Sequence, residues 1–206
     1  MSSAAENPPS ACPYHKPADA APAEQVDPRN MMPKFSQDAS KDQKQELSKD
    51  REVSTIPKTG EKDNWVYPSS QMFYHALKKK SKTVDEEDVD DVVRVHNWTN
   101  EESWRKVMEW EKMHEKTCPN PTLDRFVGLS EDLSTKGWLS SKFGRLGRPF
   151  DRHDWYVDRC GKRVRYVIDY YDDPKAGNVM DVTIDARPAS DNLGGIWDRL
   201  RKSFTG

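Results

Sequence analysis

Residues 92–104, VVRVHNWTNEESW, set a histidine among valines. Val89, Val92, Val93 and His96 recur at i, i+3, i+4 and i+7, so His96 belongs to the apolar stripe of a helix. An imidazole there is partly desolvated and favours its neutral form, which is a good ligand for haem iron. The same placement suits a hydrogen-bonded core histidine, and spacing leaves both readings open. Asn97 and Glu101 stand close enough to orient the ring, or serve simply as a helix amide and a first-turn acid.

A second histidine, His153, lies in FDRHDW between Asp151, Arg152 and Asp154. That grouping suits acid–base chemistry, a contact to a haem propionate, or a solvated turn. Arg159, Arg163 and Arg165 offer further cations for propionates or flank strands. Trp65 and Tyr67 could stack on a planar ligand or fill a core. Cys12 and Cys118 each precede a proline, a context in which thiolate can ligate ferric iron, though such dipeptides also occur incidentally.

Several chemistries are excluded by pattern. No HExxH or paired-histidine zinc spacing occurs, nor a nucleophile elbow, P-loop or dinucleotide fingerprint. There is no CxxCH, so the chain is not itself a c-type cytochrome. Cys12, Cys118 and Cys160 are an odd, sparse set, which argues against a disulfide scaffold. With 33 basic and 35 acidic side chains the net charge of -2 leaves no general footprint for nucleic acid. No apolar run approaches the roughly 20 residues that span a bilayer, so any membrane association is expected to be peripheral.

The elements that must position these residues follow from composition and period. Of 7 Trp, 7 Tyr and 6 Phe, only Tyr14 and Phe35 precede residue 61, whereas 8 of the 14 prolines do. Residues 1–60 therefore read as a disordered leader and 61–206 as one aromatic-rich domain. Pro68 and the serines after it start a helix that Lys78–Lys80 close, with Trp65 and Tyr67 in extended chain before it. Thr83 and Glu86 have capping-box spacing for a second helix ending near His96, and Thr99 and Glu102 repeat it for a third. Cys118-Pro119 stops that third helix, a loop follows, and residues 134–144 form a short helix ended by Gly144.

The period then changes from helical to alternating. DWYVDR, RVRYVIDYY and VMDVTIDA predict a three-stranded antiparallel meander turned at Cys160–Lys162 and Asp173–Gly177. Residues 190–204 close the chain as a capped helix weakened by Gly194-Gly195. The fold class is α+β, helices plus a small antiparallel sheet and a C-terminal helix. Residue patterns alone stop at a soluble α+β domain, with haem binding among its open readings.

Four segments in order, NWVYPSSQMFYHAL, VVRVHNWTNEESW, FDRHDWYVDRCGKRVRYVIDYYDD and DARPASDNLGGIWDRL, closely resemble the mitochondrial cytochrome c haem lyase (holocytochrome c synthase) family. The resemblance spans about residues 64–201. It implies an enzyme of the intermembrane space, peripheral on the inner membrane, that adds the two CxxCH thiols of apocytochrome c across the vinyl groups of haem b. The apocytochrome's N-terminal helix and CxxCH segment are the implied partner surface.

It further implies His96 as axial iron ligand, Glu101 and His153 as catalytic residues, and Trp65, Tyr67, Asn97, Arg159 and Cys12 as haem contacts. A non-catalytic haem carrier or sensor is the alternative, and a non-enzymatic apocytochrome-binding module the third. Two departures stand out. His75 occupies a position where the family pattern has asparagine, which could place a stray ligand near haem. CPY replaces the usual Cys-Pro-Val, which weakens a capture role for Cys12.

Overall fold

A computed structural model describes residues 26–205 apart from 83, 130–131, 145–146, 174 and 176–180. Cys12 and Thr83 therefore lie outside the described residues. So does most of the expected turn at Asp173–Gly177.

The α+β class holds, and the sheet is larger than the sequence predicts. Strands β5 (Thr122–Gly128), β6 (Asp151–Arg159), β7 (Lys162–Asp172) and β8 (Val182–Pro188) form one antiparallel sheet in that order. The last three are the expected meander; β5 falls where a loop is expected. Its alternation is hidden by a bulge: Leu123 pairs with Val157 and Phe126 with Trp155, with the register shifting between Leu123 and Arg125. Residues three apart thus face the same side, which a strict period of two forbids.

Helix α1 (Ser70–Lys79) starts at Ser69, whose hydroxyl accepts from the Met72 amide at 3.2 Å, and ends with Lys78 and Lys79 in its last turn. Helix α2 (Val89–Glu111) is one continuous helix of 23 residues rather than two helices meeting after His96. Thr99 does not cap; its hydroxyl donates to the Val95 carbonyl at 2.8 Å, inside the helix. Asn97 donates to Glu52 at 2.8 Å and Asn100 to the His96 carbonyl at 2.8 Å, so both amides are satisfied without a break. His96 therefore projects from mid-helix, not from a corner.

One face of the sheet packs on α2. Trp104 and Val107 meet Trp155, Val157, Val164, Tyr166, Ile168, Tyr170, Ile184 and Ala186 in the main core. Helix α3 (Thr135–Phe143) ends at Gly144 as expected, is capped by Ser134, and lies at the other face. There Ser134 and Arg187 both donate to the buried Asp169 carboxylate at 2.5 Å. Asn192 caps helix α4 (Leu193–Thr205), accepting from the Gly195 amide at 2.9 Å.

Residues 26–60 are not a free leader in the described part. Strands β1 (Val26–Asp27) and β2 (Met32–Pro33) form a hairpin, and β3 (Val53–Pro57) pairs with β4 (Asn64–Val66). Ile56 enters the main core, while Leu47 packs with Tyr74, Val89 and Val93. Few apolar side chains do this work, so a 60-residue average missed it. Charge supplies the rest: Arg51 donates to Asp27 at 2.6 Å and to the carbonyls of Val66 and Tyr67 at 3.0 and 2.7 Å.

A disulfide joins Cys118 to Cys160, contrary to the cysteine count. The end of α2 and the β6–β7 turn meet only in the folded chain, and 42 residues of sequence conceal their proximity.

Candidate functional site

The inward face of β6 carries His153, Trp155, Val157 and Arg159 by alternation, and α2 runs beside it. His96 lies toward the His153 end and Glu111 at the Arg159 end. At 1.5 Å per residue, the 15 residues from His96 to Glu111 (111 − 96) span about 22 Å. The predicted site residues therefore divide between two ends of the molecule.

At the first end His96 is half-buried. Its ring centroid is 5.4 Å from that of Phe73 and 6.3 Å, edge-on, from that of Tyr67. Nδ1 lies 3.4 Å from the Asn97 side-chain oxygen, a long contact that Asn97 can offer because its amide nitrogen is held by Glu52. Burial lowers the His96 pKa; the Asn97 contact opposes this, the charge of His153 reinforces it, and Asp151 opposes it. The ring is thereby kept neutral, the form that can ligate a metal.

His153 completes this end. Its Nε2 lies 3.3 Å from the Asp151 carboxylate and its ring stands edge-on to Tyr170 at 5.3 Å. Its Nδ1 is buried and finds no hydrogen-bond partner among the described residues. A buried imidazole nitrogen in that state costs stability unless another group meets it.

His153 also lines a cleft of about 490 Å³. Its walls are residues 30–33 of the β1–β2 hairpin, Trp65, Phe126 and Gly128, and it is lined by the cations Lys58, Arg125 and Arg163 together with the acids Glu61 and Asp124. The volume falls within the roughly 300–1,000 Å³ range of ligand sites. A small apolar pocket sharing Asn30, Met32, Trp65 and Phe126 extends the cleft to Tyr67 and Asn100, beside His96 on α2. Trp65 is buried, donates from its indole to the Leu123 carbonyl at 3.2 Å, and meets Phe126 edge-on at 5.5 Å.

Glu101 lies on this side of α2 but is fully engaged by protein. Ser54 donates to it at 2.5 Å, Tyr67 at 2.8 Å and the Thr55 amide at 3.2 Å, and the Thr55 hydroxyl donates as well. Burial raises its pKa, but these four donors outweigh it and hold the carboxyl below its ordinary value. Burial and the neighbouring Glu101 push the Tyr67 phenol far up, so it stays a donor.

Arg159 belongs to the other end. It donates to Glu111 at 2.7 and 2.8 Å and to Asp198 at 3.3 Å, and Tyr166 donates to the same Glu111 at 2.5 Å. All four groups are buried. Arg165 is likewise taken up, by Asp154 and Asp191. Of the three arginines considered for propionates only Arg163 reaches the cleft, paired there with Asp124 at 2.7 Å. His75 meets the Asp38 carbonyl at 2.9 Å and Gln71 at 3.2 Å, which occupies the ring that could have been a stray ligand.

Sequence reasoning missed Lys58, Met32, Arg125 and Phe126. The first two fall in the supposed leader and the others on the hidden strand.

An α+β domain with a partly apolar cleft and two histidines at one end of its core defines a class of ligand-handling protein. The family model for cytochrome c/c1 heme lyase matches residues 1–203, and the chain belongs to that family. It is 43% identical over 186 residues to the holocytochrome c-type synthase of Gallus gallus, covering 87% of this chain and 68% of that protein. The Bos taurus protein of that name is 42% identical over 194 residues, covering 91% and 70%, and the Homo sapiens one 41% over 188 residues, covering 88% and 70%. No solved structure matches the chain.

Proposed function

We propose that this chain is a holocytochrome c synthase, a lyase that joins haem b to the CxxCH thiols of apocytochrome c in the mitochondrial intermembrane space. The observation that carries the reading is His153, partly unpartnered on the wall of a cleft of about 490 Å³, with the half-buried His96 at the same end of the molecule and kept toward its neutral form by burial. Haem is a substrate here, with His96 as axial ligand and Trp65 and Phe126 as ring contacts. Arg125 and the exposed Arg163 are the cleft cations placed to meet its propionates, Arg163 by exchanging Asp124, whereas Lys58 is held by Glu61 and the Pro28 carbonyl.

The chemistry is addition. Each substrate thiol gives its sulfur to the inner vinyl carbon and a proton reaches the outer one, so no net oxidation occurs. A thiol with a pKa of ~8.5 reacts slowly with an unactivated vinyl group, whereas holding it in attack geometry contributes on the order of 7–11 kcal/mol. Positioning is therefore the main catalytic device. His96 holds one face of the iron, and the CxxCH histidine takes the other, which brings both thiols to the vinyls.

Asn97 orients His96, while Glu101 positions the extended segment carrying Trp65 and Tyr67. His153, tied to Asp151, is the second histidine of the site and the group placed to move a proton. Arg159 is assigned a positioning role at the far end instead of a haem contact. Release follows when the folding cytochrome supplies its own ligand in place of His96.

Coexpression with apocytochrome c, followed by a denaturing gel stained for haem, tests the reading. Covalent haem on the cytochrome is the expected result. Haem that stays extractable from it makes the chain a carrier or sensor, and purified protein without any haem spectrum makes it an apocytochrome-binding module.

A further inference from the structure

Helix α4 turns its polar side inward and its apolar side to water. Leu193, Ile196, Trp197, Leu200 and Phe204 are 86%, 40%, 65%, 48% and 85% exposed. At roughly 100° per residue they fall in one arc along the helix. Asp198 lies on the opposite side, buried, accepting from Arg159 at 3.3 Å and meeting His114 at 2.9 Å. Arg199 donates to the Pro188 carbonyl at 2.6 Å, and Lys202 sits 4.2 Å from the Trp110 ring centroid.

The same inner side explains a glycine. A Cβ on Gly195 would stand 1.9 Å from the Ala189 carbonyl oxygen, so only glycine permits this approach. Polar contacts and close backbone packing thus fasten α4 with its stripe outward. The stripe is not a core face that has slipped, because the inner side is fully used. An outward row of large apolar side chains marks a surface that meets something other than water.

We propose that α4 is a docking ridge for an anionic lipid surface. Three observations favour lipid over protein. The stripe combines Trp and Phe with Leu and Ile, the composition that settles at a bilayer interface. The rim is basic and carries no outward acid: Arg201 is exposed beside the stripe, the Lys162 ammonium stands 3.5 Å from where a Gly194 Cβ would be, and the one acid of α4, Asp198, points inward, while Arg199 and Lys202 serve the inner side. Long basic side chains beside an apolar face reach lipid headgroups while their stems stay on the helix.

The third observation is position. Asp198 ties α4 to the Arg159–Glu111 end of α2, the end away from His96. A molecule seated on lipid through α4 keeps its cleft open to a soluble substrate. An apocytochrome helix docked there would hold its CxxCH far from the haem site. The proposal goes beyond the proposed function, and its lipid readout does not depend on haem chemistry.

Flotation of the full chain with phosphatidylcholine vesicles, with and without phosphatidylglycerol, tests it alongside the double variant Trp197→Glu, Leu200→Glu. Both positions are exposed, so folding is expected to survive, and circular dichroism checks this. The wild type should float with the anionic vesicles, and the double variant should bind about tenfold less or weaker still. Trp197→Phe with Leu200→Ile should retain binding, and holocytochrome yield from soluble apocytochrome should be the same in all three.

Equal flotation of wild type and double variant overturns the proposal, as does wild-type binding that ignores phosphatidylglycerol. A dimer in the wild type that the double variant abolishes reassigns the face to a second copy. A raised KM for soluble apocytochrome in the double variant reassigns it to the substrate. Failure of haem attachment with normal flotation would overturn the enzymatic reading and leave this one standing.

Discussion

The Tyr67 hydroxyl donates to the Glu101 carboxylate at 2.8 Å, joining the segment before α1 to α2 just beyond His96. The contact couples the wall of the cleft to the helix that carries the proposed iron ligand. Replacing Glu101 by Gln keeps the shape and removes the charge, which should cost about 1–3 kcal/mol of stability. A double-mutant cycle with Tyr67→Phe should give a coupling energy well above zero by thermal unfolding. Additive effects would show that the two residues act separately.

His96→Ala should abolish both the low-spin haem spectrum and covalent product. His75→Ala should leave both in place, because His75 is turned toward the Asp38 carbonyl. Absorbance of the purified variants and a haem-stained gel report the two outcomes. Normal product from His96→Ala would remove this residue from the mechanism.

Arg159→Ala separates a structural arginine from a haem contact. The loss leaves Glu111 and Asp198 buried without their cation, which should cost about 3–5 kcal/mol. Haem affinity of the folded fraction, measured by titration below the unfolding temperature, should match the wild type. Weakened haem binding with unchanged stability would return Arg159 to the haem site.

Acid should loosen the N-terminal hairpin and the Glu101 contacts together. Burial raises the Asp27 pKa, but hydrogen bonds from Arg29 and the charge of Arg51 outweigh it, so its carboxyl, like that of Glu101, titrates below its ordinary range. A depressed carboxyl adds stability that is fully present above its unfolded pKa, about 3.9 for Asp and 4.3 for Glu, and is lost as pH falls toward the folded value. The unfolding temperature should therefore drop below about pH 4, less steeply in Asp27→Asn than in wild type. Superimposable profiles would show that Asp27 does not contribute.

The Cys118–Cys160 disulfide closes a 42-residue separation, and its removal in Cys118→Ser should cost on the order of 2–4 kcal/mol. Thiol titration of the unfolded, unreduced chain should find one reactive cysteine, Cys12. Three reactive thiols would show that the pair is reduced in the purified protein.

Local chemistry was legible in the residues themselves. The Ser69 start of α1, the Gly144 end of α3, the meander of β6 to β8 and the placement of His96 on an apolar helical stripe each follow from patterns a few residues long. Four ordered segments then carried the likeness to the haem lyases. Tertiary structure decided what no short window contains.

That α2 runs on past His96 was not in its spacing: Asn97 is taken up by Glu52, distant in sequence, and Thr99 bonds the Val95 carbonyl instead of capping a new helix. The bulge at Asp124 hid β5 because it reverses the alternation that marks a strand. Arg159 and His153 share a strand face, yet packing sent one to Glu111 and the other to the cleft. The reason is common to all three: a side chain's partner is set by what the folded chain brings within about 3 Å, and sequence spacing reports only the neighbours along the chain.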